Sequence, residues 1–142
     1  MYTLNKLDWR QENVRTQMEP ILNELASNDP KSTVRGLALS ILGAYGKPEY
    51  RALFEKNLND SSYSVAGAAL DGMMMLDSNV AIGQAKKMAA GKIKGKLLES
   101  VTRVLMMSGD ASLFSSVSKT FDDMPFSQAK FNLVQPFAQM LV

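Results

Sequence analysis

Asp29-Pro30-Lys31-Ser32-Thr33-Val34-Arg35-Gly36-Leu37-Ala38-Leu39 and Asp60-Ser61-Ser62-Tyr63-Ser64-Val65-Ala66-Gly67-Ala68-Ala69-Leu70 are one motif written twice. Asp29 aligns with Asp60, Val34 with Val65, Gly36 with Gly67, Ala38 with Ala69 and Leu39 with Leu70, each at an offset of 31 residues. A fixed period of roughly 20–50 residues marks a stacked repeat array, because one unit alone cannot bury its apolar face. Such arrays mostly present surfaces, so the repeat favours binding over catalysis.

Helical periodicity extends outward from the motif in both directions. Val34, Leu37, Ala38, Ile41, Leu42 and Tyr45 fall at spacings 0, 3, 4, 7, 8 and 11, a full apolar stripe. Gly46 follows as the natural helix stop. Upstream, Asp8 and Gln11 have the spacing of a capping box, and Val14, Met18, Ile21, Leu22 and Leu25 line one face. Pro20 inside that pattern predicts a kink or a break. Asn28-Asp29-Pro30 predicts the next boundary, with Asp or Ser as cap. Downstream, Lys47-Pro48-Glu49 opens a helix, and Asp77, Gly109-Asp110 and Ser127 punctuate further helical stretches. Pro136 predicts a distortion of the last one. The reading is all-α, with about eight helices paired as four hairpins over residues 9–45, 48–76, 79–108 and 111–142. Stacking those hairpins predicts one domain, 1–142, built as an α-α superhelix. Gly36 and Gly67 sit inside helices, where glycine costs about 1 kcal/mol against alanine. Close approach of a neighbouring helix is the expected compensation.

Composition excludes several chemistries. The 142 residues include 46% apolar types, which argues against disorder. Sixteen basic and 14 acidic residues leave a net charge of +2, a weak electrostatic case for nucleic acid or an anionic membrane. Histidine and cysteine are both absent. That removes disulfides, the usual transition-metal ligands, and Ser-His-Asp or Cys-His nucleophiles within this chain. No apolar run approaches the roughly 20 residues a membrane helix needs.

The arrangement Asp29…Val34-Arg35-Gly36-Leu37-Ala38…Leu42 resembles the HEAT and HEAT-like repeats. In that family an Asp and an Arg tend to form a ladder between successive repeats. The resemblance gives those parts to Asp29, Arg35 and Asp60. The second copy has Ala66 where the Arg is expected, leaving the ladder incomplete.

Residues 29–142 further resemble the C-terminal helical region of bacterial aminopeptidase N-like zinc metallopeptidases. The stretches that carry this are 28–35, Leu53-Phe54-Glu55-Lys56-Asn57-Leu58-Asn59-Asp60-Ser61-Ser62-Tyr63 and Lys130-Phe131-Asn132-Leu133-Val134-Gln135-Pro136-Phe137. That family's catalytic motif is H-E-x-x-H with a distant Glu, and a chain without histidine has none of it. The resemblance therefore implies a non-catalytic accessory domain, a piece of a longer chain, with no cofactor of its own. Zinc would belong to the parent's catalytic domain. It also implies packing against that upstream catalytic domain and control of substrate access, and it is compatible with a periplasmic or secreted location without fixing the compartment. A stand-alone HEAT-like adaptor for a protein or peptide is the alternative, and a nucleic-acid-binding solenoid a third.

Other candidates compete with plainer roles. Lys86, Lys87, Lys92, Lys94 and Lys96 form the densest basic cluster. No aromatic residue interleaves them, as single-strand binding wants, so a solvated helix end is the better reading. Met73, Met74, Met75, Met106 and Met107 suit core filling, since three consecutive residues spread around a helix. One of the first three is expected at a surface. Asp8 and the Asp122-Asp123 pair lack calcium-loop spacing and read as a cap and a turn. Trp9, the only tryptophan, is an interface candidate against the plainer role of packing on the first hairpin.

Overall fold

The computed structural model describes residues 12–125 and 127–139, so Asp8, Trp9 and Gln11 lie outside the described residues. Within them are eight α-helices and no strand. These are α1 Glu12–Asn28, α2 Ser32–Tyr45, α3 Arg51–Asn57, α4 Tyr63–Leu76, α5 Ser78–Ala89, α6 Gly95–Met107, α7 Phe114–Asp123 and α8 Gln128–Gln139. Single 3-10 turns, Pro48–Tyr50 and Ala111–Leu113, lead into α3 and α7.

Local chemistry sets the ends. Gly46 adopts φ 67°, and its N–H returns to the Gly43 carbonyl to close α2. The Ser62 hydroxyl accepts the Val65 N–H at the start of α4, and the Asp77 carboxylate accepts the Val80 N–H at the start of α5. The Asp29 expectation needs correcting. Its carboxylate accepts the N–H of Lys31 at 2.8 Å, so it shapes the turn ahead of α2 rather than capping the helix. Asp60 accepts the N–H of Ser62 at 2.8 Å in the same way. The two motif copies thus build the same turn. Pro20 does not break its helix: α1 runs through it uninterrupted. Its ring removes one backbone hydrogen bond on an exposed side of α1. α8 likewise runs through position 136.

Neighbouring helices pair as the short turns demand: α1 with α2, α3 with α4, α5 with α6. A second set of contacts links every other helix. α2 packs on α4, α4 on α6, and α6 on α8. The α7–α8 pair closes through stacked rings, with Phe137 lying 4.6 Å from Phe121 and 5.8 Å from Phe114 between centroids. One continuous apolar cluster runs between these helices from Met18 to Leu133. Leu22, Leu39, Phe54, Leu70, Met73 and Leu105 are fully buried in it. Each such side chain contributes about 1.5–3 kcal/mol.

Two glycine pairs let the even-numbered helices approach so closely. A Cβ on Gly36 would stand 3.1 Å from the Ser64 carbonyl oxygen in the first turn of α4. A Cβ on Gly67 would stand 2.8–3.0 Å from Lys96 atoms, backbone included, in the first turn of α6. Further along, a Cβ on Gly43 would stand 3.1 Å from the Gly72 Cα, and a Cβ on Gly72 would enter the space of the Phe54 ring. Gly83 of α5 has open space around it. Gly83→Ala should therefore stabilise the protein by about 0.5–1 kcal/mol, the helix-propensity gain. Gly67→Ala makes the same propensity gain but drives a methyl into the α6 backbone, and should destabilise by about 1–3 kcal/mol. Urea unfolding of the two variants measures both, and equal effects would contradict the packing account.

Candidate functional site

Residues of α2, α4 and α6 together line a groove of about 340 Å³. Its floor is small: Ser40, Gly43 and Ala44 from α2, Ala68 and Gly72 from α4. The same residues that permit close helix packing leave depth above it. Met75 of α4 and Met107 of α6 stand at its border, 66% and 62% exposed. The other methionines divide as three consecutive helical positions must. Met73 is fully buried and Met74 half-buried, while Met106 is 7% exposed in the core.

A charged cluster lies in this groove. The Asp71 carboxylate accepts from Lys96 Nζ at 3.1 Å, Ser100 Oγ at 3.1 Å and Arg103 Nη1 at 3.2 Å. These bonds tie α4 to α6. The side chains of Asp71, Lys96 and Arg103 are 27%, 34% and 37% exposed, so water reaches all three. One carboxylate serves two cations, and the cluster holds a net positive charge.

Sequence reading singled out Lys96 but missed Asp71, Ser100 and Arg103. A signal was present. Asp71 is the sole charged residue of α4, set among apolar and small neighbours. Positions 96, 100 and 103 have the spacing of one helix face. What sequence lacked was the pairing of those two faces.

The ladder residues come together in part. Arg35 Nη1 donates to the Asp29 backbone carbonyl at 3.0 Å, and Arg35 Nη2 lies 3.8 Å from the Asp60 carboxylate. Arg35 thus bridges the turns ahead of α2 and α4. Asp29 contributes its backbone rather than its carboxylate. Ala66 gives no equivalent bridge to the following turn, and the Asp71 cluster joins α4 to α6 instead.

The lysine cluster is divided. Lys86 and Lys87 end α5, Lys92 and Lys94 follow in the loop, and all four are exposed. Lys96 turns away to Asp71. Asp122 and Asp123 are exposed at the end of α7. Among the described residues no three acidic side chains group as a metal site would need. Nor is any described helix long and apolar enough to cross a membrane.

A second hollow, of about 410 Å³, is polar and lies between α1 and the α2–α3 connection. There the Glu19 carboxylate accepts from Lys47 Nζ and from Tyr50 Oη, each at 2.6 Å. Burial raises the Glu19 pKa, but the hydrogen bonds from Lys47 and Tyr50 and the charges of Lys47 and Arg15 outweigh it, holding the group below its ordinary value. Burial first, then the bond to Glu19, pushes the Tyr50 hydroxyl well up. These groups are mutually satisfied, which reads as a brace rather than a reactive centre.

Comparison with family models, with curated proteins and with solved structures found no match for this chain.

The Glu19 brace has a pH signature. A carboxylate whose folded pKa is depressed stabilises the fold above its unfolded pKa of about 4.3, and that contribution fades as pH falls through the folded value. The urea midpoint of the natural protein should exceed that of Glu19→Gln at pH 7. The gap should close as both are titrated from pH 5 towards pH 2. A gap that persists unchanged into acid would contradict an ionic role for Glu19.

Proposed function

We propose that this chain is a non-catalytic helical-repeat module of the HEAT kind, coiled as an α-α superhelix, that holds a protein or peptide segment. The observation that carries this is the groove across α2, α4 and α6, bordered by Met75 and Met107. Two large apolar side chains stand uncovered beside it, Met75 at 66% and Met107 at 62% exposed. Uncovered apolar surface rimmed by polar groups is the usual mark of a protein-binding face. The 31-residue repeat, the duplicated turn at Asp29 and Asp60, and the succession of α2, α4 and α6 support the superhelix. The absence of histidine and cysteine from the whole sequence supports a non-catalytic role.

The resemblance described above supplies a candidate partner, the catalytic part of a zinc aminopeptidase-like protein, with the zinc in that part. A stand-alone adaptor uses the same face on a separate protein. The lysines are less apt for nucleic acid, since Lys96 lies in the groove beside Asp71 while Lys86, Lys87, Lys92 and Lys94 lie outside it with no aromatic residue among them.

Two measurements test this reading. The open reading frame around the chain separates the partners: an H-E-x-x-H segment encoded in frame ahead of Met1 selects the peptidase, and a stop directly ahead of it removes that candidate. A photo-crosslinking amino acid at position 75, compared with one at the exposed position 83 on α5, tests the face. Protein adducts should form at least about tenfold more at 75. Equal yields at both positions would remove the functional claim for the groove.

A further inference from the structure

The groove's charged residues are Asp71, Lys96 and Arg103, one anion against two cations. We propose that it takes an acidic, apolar peptide segment, one carboxylate side chain binding beside Asp71 to Lys96 and Arg103 and a neighbouring apolar side chain lying between Met75 and Met107. This deepens the protein-binding reading and rests on it.

Charge complementarity selects the occupant. One carboxylate cannot neutralise two cations, and only Nη1 of the Arg103 fork meets Asp71. A guanidinium has further donors in its plane, suited to a second carboxylate. A basic segment would meet a net positive charge, and its natural acceptor, Asp71, already has three donors. A volume of about 340 Å³ sits at the small end of ligand pockets, which fits side chains of a segment. Methionine side chains at its border adapt to an apolar partner of varied shape. Partial exposure of all three charged groups means that binding removes water around them, strengthening each ionic contact.

The test uses the full chain labelled at its methionine methyl groups, with three synthetic peptides of equal length and leucine content. One carries glutamate, one glutamine and one lysine between the leucines. The glutamate peptide should shift the Met75 and Met107 methyl signals and leave the buried Met73 unmoved. It should bind about tenfold tighter than the glutamine peptide, and the lysine peptide should bind weakest. Arg103→Gln should erase the preference for glutamate over glutamine. Asp71→Asn should increase it, because both cations are then free; a purely structural Asp71 would lower affinity on substitution. Thermal melts of each variant separate unfolding from lost binding, and Met75→Glu, at an exposed position, should abolish binding without changing the melt.

Equal affinity of the glutamate and glutamine peptides at the same methyls would overturn the acidic assignment and leave the protein-binding reading standing. No shift of Met75 or Met107 with any peptide would overturn both. Shifts at those methyls that follow protein concentration without peptide would assign the face to a second copy, and a tighter response to an oligothymidylate would assign it to nucleic acid. Either result replaces the proposal.

Discussion

The close approach of α2, α4 and α6 is the constraint on which the rest depends. Gly36 lets the first turn of α4 come against α2, and Gly67 lets the first turn of α6 come against α4. Removing a side chain from the middle of a helix sacrifices intrinsic stability. Here that loss is offset because neighbouring backbones reach van der Waals contact, which brings Leu39, Leu70 and Leu105 into one buried cluster. Gly43 and Gly72 extend the contact and make room for Phe54, the largest fully buried side chain.

The groove follows from the same constraint. Where three helices meet through small residues, side chains cannot fill the face between them, so its floor is Ser40, Ala44 and Ala68. The longer side chains at the edges then define it: methionines on one count, a carboxylate with two cations on the other. Asp71 has two consequences at once. Its bonds tie α4 to α6, and its single charge leaves those cations under-neutralised within the groove.

Connections between units are not uniform, and each is made with what its sequence offers. Arg35 joins the turns ahead of α2 and α4. Arg51 reaches Asp77 at 3.2 Å, tying α3 to the turn ahead of α5. Lys96 and Arg103 join α6 to α4 by pairing with Asp71. Glu19, Lys47 and Tyr50 brace α1 at the first end, and the Phe114, Phe121 and Phe137 rings close the last. The ionic links are partly solvated, so they add modest stability and more directional control. Burial of the apolar stripes supplies most of the cohesion.

By itself the sequence determined what depends on local periodicity. The apolar stripe from Val34 to Tyr45, the glycine stop at 46 and the 31-residue spacing made the helices and the duplicated turn legible, since each depends on neighbours within a few turns. Pro20 does not end α1, because a long helix tolerates one missing hydrogen bond at an exposed position. Asp29 was misread because its carboxylate and its backbone carbonyl serve different partners. Only the tertiary structure decided which helix faces meet. Asp71 and Arg103 lie 32 positions apart and acquire meaning when α4 packs on α6. Met74 and Met75, adjacent in sequence, are divided between packing and surface by a rotation of one residue about the helix axis. A site built across stacked helices is a property of their distance and facing, and neither is written in any single segment.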